Sequence, residues 1–305
     1  MLLEAKRVKF SSQFTLLYYK NKLILISMFY RRKIILALIE LLGGRVEERR
    51  LNKLMFLFAA MQAEPTYQFI ALEQRPHSFS LFADLATMVK REFLMKEGDD
   101  YLVGDQSNYF ADLKAQEVEV LNRTLDSYGK LSTAQLVEII TEEYPSFTKP
   151  LLVEQAEVLE TILYTIGYEG VSIEAYLKLL IDNKIKLLVD VRANARSQKF
   201  GFSKSRLASC CRAVGIEYLH IPELGIQKNS RSKASTPSQF AELFETYRIE
   251  YLPTIIGHQQ KLLNILFEYR RVALTCFEAN ANDCHRLPLA EALLEQSRGL
   301  KMTHL

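Results

Sequence analysis

No apolar run in this 305-residue chain is long enough to cross a bilayer. The best candidate, Leu23 to Tyr30 (LILISMFY), ends at Arg31-Arg32-Lys33, and no stretch combines the basic start, long apolar run and small-residue cleavage site of a secretory leader. Cysteine is scarce: there are four, two of them adjacent at Cys210-Cys211, which in a chain this long do not make a secreted disulfide framework. Glycine (12) and proline (8) are few, and no internal repeat or low-complexity tract stands out, so the composition is that of an ordinary globular protein. These absences read as a cytoplasmic protein with reduced thiols, no membrane partner and no disulfide scaffold.

The length, 305 residues, points to two domains. A net charge of +3 says little about partners, but its distribution says more. Residues 1–50 carry eleven Lys/Arg against four Asp/Glu, residues 91–160 six against fifteen, and residues 161–305 nineteen against fourteen. Basic ends around an acidic middle suit a protein that meets a polyanion at particular faces, or equally one with solvated helix faces of alternating sign.

The first thirty residues show no assignable period. From Arg31 the spacing becomes helical, with Ile34, Ile35, Leu38, Ile39 and Leu42 on one face and Gly43-Gly44 as the stop. A second helical stripe holds Leu51, Leu54, Met55 and Phe58. Tyr67 to Ile70 reads as a strand, Arg75-Pro76-His77-Ser78 as a turn, and Ser78 as the N-cap of a third helix carrying Leu81, Leu85 and Val89. Phe93-Leu94 and Tyr101-Leu102-Val103 around Gly98-Asp99-Asp100 predict a hairpin. Helices follow over Ala111 to Tyr128 and Ser132 to Tyr144, and Pro145 and Pro150 bracket a break. The expected organisation is therefore an α-rich domain over 1–148, a linker helix over 149–160, and an α/β domain over 161–305.

In that last part, strands alternate with helices, which implies a mostly parallel sheet covered on both faces. Ile162 to Ile166, Lys186 to Val189, Ile216 to His220 and Val272 to Thr275 are the strands, and Ser172 caps the first helix between them. The polar tract Gln227 to Ser238, with Lys228, Arg231 and Lys233, has the look of a lid. Helices are expected around Phe240 to Tyr251 and His258 to Tyr269, and a last one through Leu289, Leu293 and Leu294, with Cys284 as cap and Pro288 in the first turn.

Each predicted strand ends in residues fit for chemistry: Glu169, then Asp190 and Arg192, then Glu223, then Cys276 and Glu278. In open α/β sheets ligands bind outside the carboxyl ends of the strands. The densest stretch is VALTCFEANANDCHR, Val272 to Arg286, with two thiols, two carboxylates (Glu278 and Asp283), an imidazole and a guanidinium. Asp190 and Glu278 could serve as an acid/base pair or orient a water, or could be structural partners of the arginines. Arg192 and Arg286 suit an anion such as phosphate, with His285 beside them. Cys276 is either a nucleophile or a small buried residue at the sheet's end. A metal site at Cys284-His285 is not expected, because the spacing from Cys276 is not that of a zinc motif. Arg196 to Phe202, RSQKFGF, interleaves cations with aromatics as single-strand binders do, Lys199 and Phe202 being its candidates; Phe202 could equally anchor the core.

Two resemblances add to this. The runs LNKLMFLF and FIALEQRPHSFSLFADLATMVKREFLMKEGDDYLVG resemble winged-helix domains of bacterial accessory and defence proteins, although Arg75-Pro76-His77-Ser78 lacks the glycine of their usual turn. That likeness implies a DNA- or partner-binding module, with Ser78 to Arg91 as the recognition helix. The ordered motifs TIGYEG, DVR, F-x-K-x-x-L, GIEYLHIPELG and C-x-E…CHR resemble the bacterial family known as domain of unknown function 488, over about residues 161–305. This implies an α/β domain with a polar pocket built from those motifs and names no reaction. Tyr168-Glu169 replaces the serine or histidine usual there.

Three functions follow as expectations. The first is a hydrolase of a base or nucleoside bond in nucleic acid, DNA before RNA, working without metal or cofactor, as in repair or phage defence. The others are a winged-helix regulator with a nucleotide-sensing C-terminal domain and a Cys276-dependent thiol enzyme acting on a small anion. A homodimer is a further expected partner.

Overall fold

Helical apolar spacing from Ile34 to Ile39 yields a helix, α1 (30–41), whose inner face is buried, and Gly43 and Gly44 end it at φ +91 and +84, where a side chain would be strained. The computed structural model describes residues 30–103, 108–148, 160–226 and 236–305. The first twenty-nine residues, nearly all of the linker helix 149–160 and most of the tract Gln227 to Ser238, with Lys228, Arg231 and Lys233, lie outside the described residues.

Two compact units emerge. One comprises the chain up to Tyr67 together with Phe82–Ile139; the other comprises Gln68–Leu81 and Ile140–Leu305. In the first, β1 (Arg45–Glu47) leads into α2 (Glu48–Ala60), which buries Leu51, Leu54, Met55 and Phe58. The hairpin β4 (Leu94–Glu97) and β5 (Asp100–Val103) turns at Gly98, φ +59, and β1 joins it to give an antiparallel sheet ordered β1-β5-β4. The helix expected from Ala111 begins later, as α4 (Ala115–Tyr128), after a single tighter turn at Phe110–Asp112, and α5 (Thr133–Glu143) and the short α6 (Pro145–Thr148) follow it in the chain. Buried Asp84 accepts from Arg31 Nε (2.5 Å), Arg32 Nε (2.8 Å) and Tyr67 OH (2.9 Å).

Residues 68–81 contribute a short hairpin to the other unit. The expected turn at Arg75-Pro76-His77 is instead a strand, β3 (Arg75–His77), paired with β2 (Ile70–Leu72). The reversal lies at Glu73-Gln74, both at positive φ (48 and 60), and Pro76 is tolerated because this two-stranded ribbon leaves an open edge. Ser78 Oγ accepts from Leu81 N at 3.2 Å, the cap expected at the start of α3 (Phe79–Lys90).

The α/β sheet has five strands ordered β10-β6-β9-β7-β8, and every neighbouring pair is parallel. They are β6 (Ile162–Gly167), β7 (Leu187–Asp190), β8 (Glu217–His220), β9 (Arg271–Cys276) and β10 (Lys301–His304). Alternate residues serve two cores, as the period of a strand buried on both faces requires. Tyr164, Ile166, Leu188 and Ala273 meet α7 (Ile173–Asp182) and α8 (Lys204–Ala213). Leu163, Val189, Val272 and Leu274 meet α10 (Ile256–Tyr269) and α11 (Arg286–Gln296). A further helix, α9 (Pro237–Thr246), is closed by a full capping box at Thr236 and Gln239. The topology sets up the site: the chain leaves β6, skips one place to β7 and β8, and β9 later fills the gap. The carboxyl end of β9 therefore stands between those of β6 and β7.

Candidate functional site

Register places Gly167 opposite Cys276 and Asp190 opposite Thr275, so the segments leaving β6, β7 and β9 start side by side. Gly167 is what lets them approach. A Cβ there would stand 1.7 Å from the carbonyl oxygen of Glu278, a distance no other residue could adopt. Tyr168 N and Glu169 N both donate to Phe277 O, at 3.1 and 2.9 Å, and Glu169 Oε2 accepts from Ala279 N at 3.2 Å. From the other side, Arg286 donates through Nη1 to Glu278 O (2.5 Å) and through Nη2 to Ala279 O (2.8 Å). Glu169 and Glu278 are thus fixed on one rim, and Phe277 between them is 40% exposed.

Beneath the rim lies a saturated ion pair. Asp190 accepts from Arg192 Nε (2.8 Å), Nη2 (2.5 Å) and N (3.2 Å), and from Tyr218 OH (2.6 Å). Asp190 is 0% and Arg192 6% exposed, and the remaining guanidinium nitrogen donates to Tyr168 OH (2.6 Å) and Phe202 O (3.0 Å). Burial pulls the Arg192 guanidinium down, but Asp190 outweighs it and holds it above its ordinary value. Burial, and then the Asp190 charge, push the Tyr218 phenol far up. Phe202 is fully buried, stacked on Tyr168 (4.3 Å, 9°) and edge-on to Tyr176 (5.1 Å, 89°), which is the position of a core anchor. Lys199 Nζ donates to Tyr168 O at 2.6 Å, which brings this cation to the Tyr168-Glu169 side of the rim. Glu223 is the exposed residue of the turn Pro222–Leu224, and no hydrogen bond among the described residues ties its carboxylate to the Cys276 end.

The end of β9 carries a second cluster. His285 Nδ1 lies 3.6 Å from Cys276 Sγ and 3.8 Å from Cys284 Sγ, and all three residues are 1–2% exposed. His285 Nε2 is 3.0 Å from Val191 O; a carbonyl only accepts, so Nε2 carries the proton and Nδ1 turns its lone pair toward both thiols. Cys276 Sγ also donates to Glu278 Oε2 at 3.3 Å. Burial, followed by Cys276, pushes the Cys284 thiol well up, with Arg286 opposing. The N-cap of α11 is His285, one residue later than the expected Cys284, because Cys284 stays extended (φ −145, ψ 142) to point its sulfur at the imidazole. Pro288 falls within the first turn as expected.

Of the residues that the sequence singles out, the fold gathers Cys276, Glu278, His285 and Glu169 at the β6 and β9 ends. Lys199 joins them there, whereas Asp190, Arg192 and Phe202 form a closed layer, and Arg286 gives its two Nη groups to carbonyls while its buried Nε has no hydrogen-bond partner among the described residues. Tyr168 is singled out in the sequence as the replacement at the pocket's first edge, whereas Phe277, Tyr218 and the Val191 carbonyl complete the site without being expected from it. Only Phe277 leaves a trace there, as the apolar residue of C-F-E at a strand end.

A parallel α/β sheet with its chemistry-bearing loops at the carboxyl ends is thus the class of the C-terminal unit. Residues 172–293, within the C-terminal unit, match the family model described as "Domain of unknown function DUF488". The match spans the cluster at Cys276 to Arg286 and the Asp190–Arg192 pair, and leaves Glu169 outside. No curated protein matches the chain. Among the described residues no helix is long and apolar enough to cross a membrane.

Proposed function

We propose that the α/β unit is a hydrolase of a nucleic-acid or nucleotide substrate, with Glu278 positioning the attacking water. The observation that carries this reading is the rim itself. Two carboxylates, Glu278 and Glu169, flank an exposed aromatic, Phe277, beside a stretch with no acidic residue from Val191 to Ile216 but six cations, Arg192, Arg196, Lys199, Lys204, Arg206 and Arg212. Phe277 offers a face on which a base can stack, worth about 1–3 kcal/mol. Exposed Arg196 and the Lys199 ammonium suit the phosphate. In a glycosylase-like reaction the water oxygen bonds to the sugar C1′ as the C–N bond breaks. One water proton passes to Glu278, and the departing base takes a proton from solvent. Asp190 and Arg192 hold the floor rather than react. The N-terminal part of the chain, expected over residues 1–148 and centred on the first compact unit, acts in this reading as a winged-helix-like module that brings DNA, with Lys90 and Arg91 exposed at the end of α3.

Incubation with DNA, RNA and nucleotides is expected to release base or nucleoside. Glu278→Gln should lower that rate by about 10²–10⁴, the usual worth of a general base. Unchanged turnover in Glu278→Gln rules the reading out.

A second reading, thiol chemistry on a small anion, rests on the 3.6 Å approach of Cys276 Sγ to His285 Nδ1. It requires that iodoacetamide alkylate native Cys276 and that His285→Gln suppress this. An inert Cys276 ends it.

A further inference from the structure

The Cys276, Cys284 and His285 side chains leave one feature that packing does not explain. Two buried cysteines used as fillers need no acceptor between them, yet the unprotonated Nδ1 of His285 faces both sulfurs. The three donor atoms lie within 4.8 Å of one another. A tetrahedral zinc ion bound at about 2.3 Å to sulfur and about 2.0–2.1 Å to nitrogen holds those two ligand atoms roughly 3.6 Å apart. The observed separations are 3.6 and 3.8 Å. The Val191 carbonyl that holds Nε2–H is the outer partner that metal-bound histidines characteristically have.

We propose that Cys276, Cys284 and His285 form a three-ligand metal site, for zinc by its thiolate and imidazole donors, with its fourth position beside the carboxylate of Glu278. Two thiolates balance the ion's charge. The buried guanidinium of Arg286, which meets only carbonyls among the described residues, and the N-terminus of α11 both favour negative sulfur there. The ligands come from the end of one strand and the N-cap of a helix, with the outer partner following a second strand. The sheet rather than a local knuckle assembles the site, which is why its spacing in sequence resembles no zinc motif. The inference deepens the hydrolase reading, on which it rests only for the ion's role, because zinc lowers the pKa of a bound water to about 7 and Glu278 stands ready to take its proton.

The test uses the full chain, reduced, stripped of metal and titrated with Co²⁺ and Zn²⁺. One equivalent of Co²⁺ should give a thiolate-to-cobalt charge-transfer band and the visible bands of a tetrahedral ion. Zn²⁺ should displace it. Cys284→Ser and His285→Gln should abolish the spectrum, and Glu278→Gln should keep it. Should a ligand variant fail to fold, wild-type alkylation decides: Zn²⁺ must protect Cys276 and Cys284, mapped by peptide mass, and leave Cys210 and Cys211 unaffected. Absence of a stoichiometric cobalt spectrum in the wild type, its persistence in Cys284→Ser, or its loss in Glu278→Gln overturns the assignment. Glu278-dependent turnover by a metal-free chain would sink the ion's part in catalysis and leave the hydrolase standing; a stoichiometric cobalt spectrum without turnover in either form would sink the hydrolase and leave the metal site standing.

Discussion

Asp190 shows what a strand-end carboxylate becomes when the fold closes over it. All its neighbours are committed donors, and Arg192 beside it has no route to water that would repay the loss of its partner. Asp190→Ala should therefore cost about 3–5 kcal/mol, as removal of one partner from a buried pair does. Denaturant unfolding measures this, and an unchanged midpoint would show the pair to be dispensable. Residue type at strand ends is legible in the sequence: Glu169, Cys276 and Glu278 stand out because each follows an apolar run. Whether such a residue faces solvent or a partner is not, because that depends on side chains distant in sequence. Tyr218 and Phe202 seal Asp190 and Arg192 from 28 and 10 residues away respectively. Phe202 between cations reads equally as a stacking platform or a core anchor until Tyr168 and Tyr176 are seen around it.

At the level of elements, strands β6 to β9 are readable from apolar runs bounded by polar turns, whereas β10 is not. Its sequence, KMTH, is short, polar and mostly exposed, and it pairs only because β6 presents a free edge. The β2–β3 turn falls earlier than expected because Pro76 suggests a turn more strongly than Glu73-Gln74, whose positive φ values no residue type announces. The crossing of the β6 and β9 loops gives a sharper test. Gly167→Ala forces a methyl onto the Glu278 carbonyl, so the loop must shift. Activity should fall at least tenfold, more than the loss of folded protein at the same temperature accounts for, because a displacement of about 1 Å at a reacting group can cost 10²-fold. Wild-type activity in Gly167→Ala would show that the loop position is irrelevant. For α3, Lys90→Ala with Arg91→Ala should weaken DNA binding alike for all sequences. The slope of log K against log salt should then shrink by about 1 for each phosphate no longer neutralised. An unaltered slope would leave that helix end without a role in holding phosphate.

For the whole molecule, buried phenols set the alkaline limit. Tyr67, Tyr176, Tyr218 and Tyr247 are all raised, first by burial, from an ordinary value of 10.0. The unfolded chain ionises them near that value while the folded chain keeps them neutral. Their contribution is therefore complete below pH 10 and disappears as the pH climbs from there through the raised folded values. His77 and His304 act at the acid side: burial, chiefly, lowers both from 6.5, so stability they support above that pH is lost as it falls through their folded values. Melting temperature against pH should thus decline on both flanks. A flat alkaline flank, with tyrosinate absorbance rising before unfolding, would show the phenols to be accessible. Tyr67 belongs to one compact unit and the other three to the second, so both units should weaken.

The measurement that bears most directly on the account is turnover by the purified chain on labelled single- and double-stranded DNA, RNA and free nucleotides, run beside Glu278→Gln. Release of base or nucleoside is expected from the wild type, and its loss, by about 10²–10⁴, in a variant that melts at the same temperature. Nucleic-acid binding with no turnover in either protein would contradict it and make the rim a sensing site rather than a catalytic one.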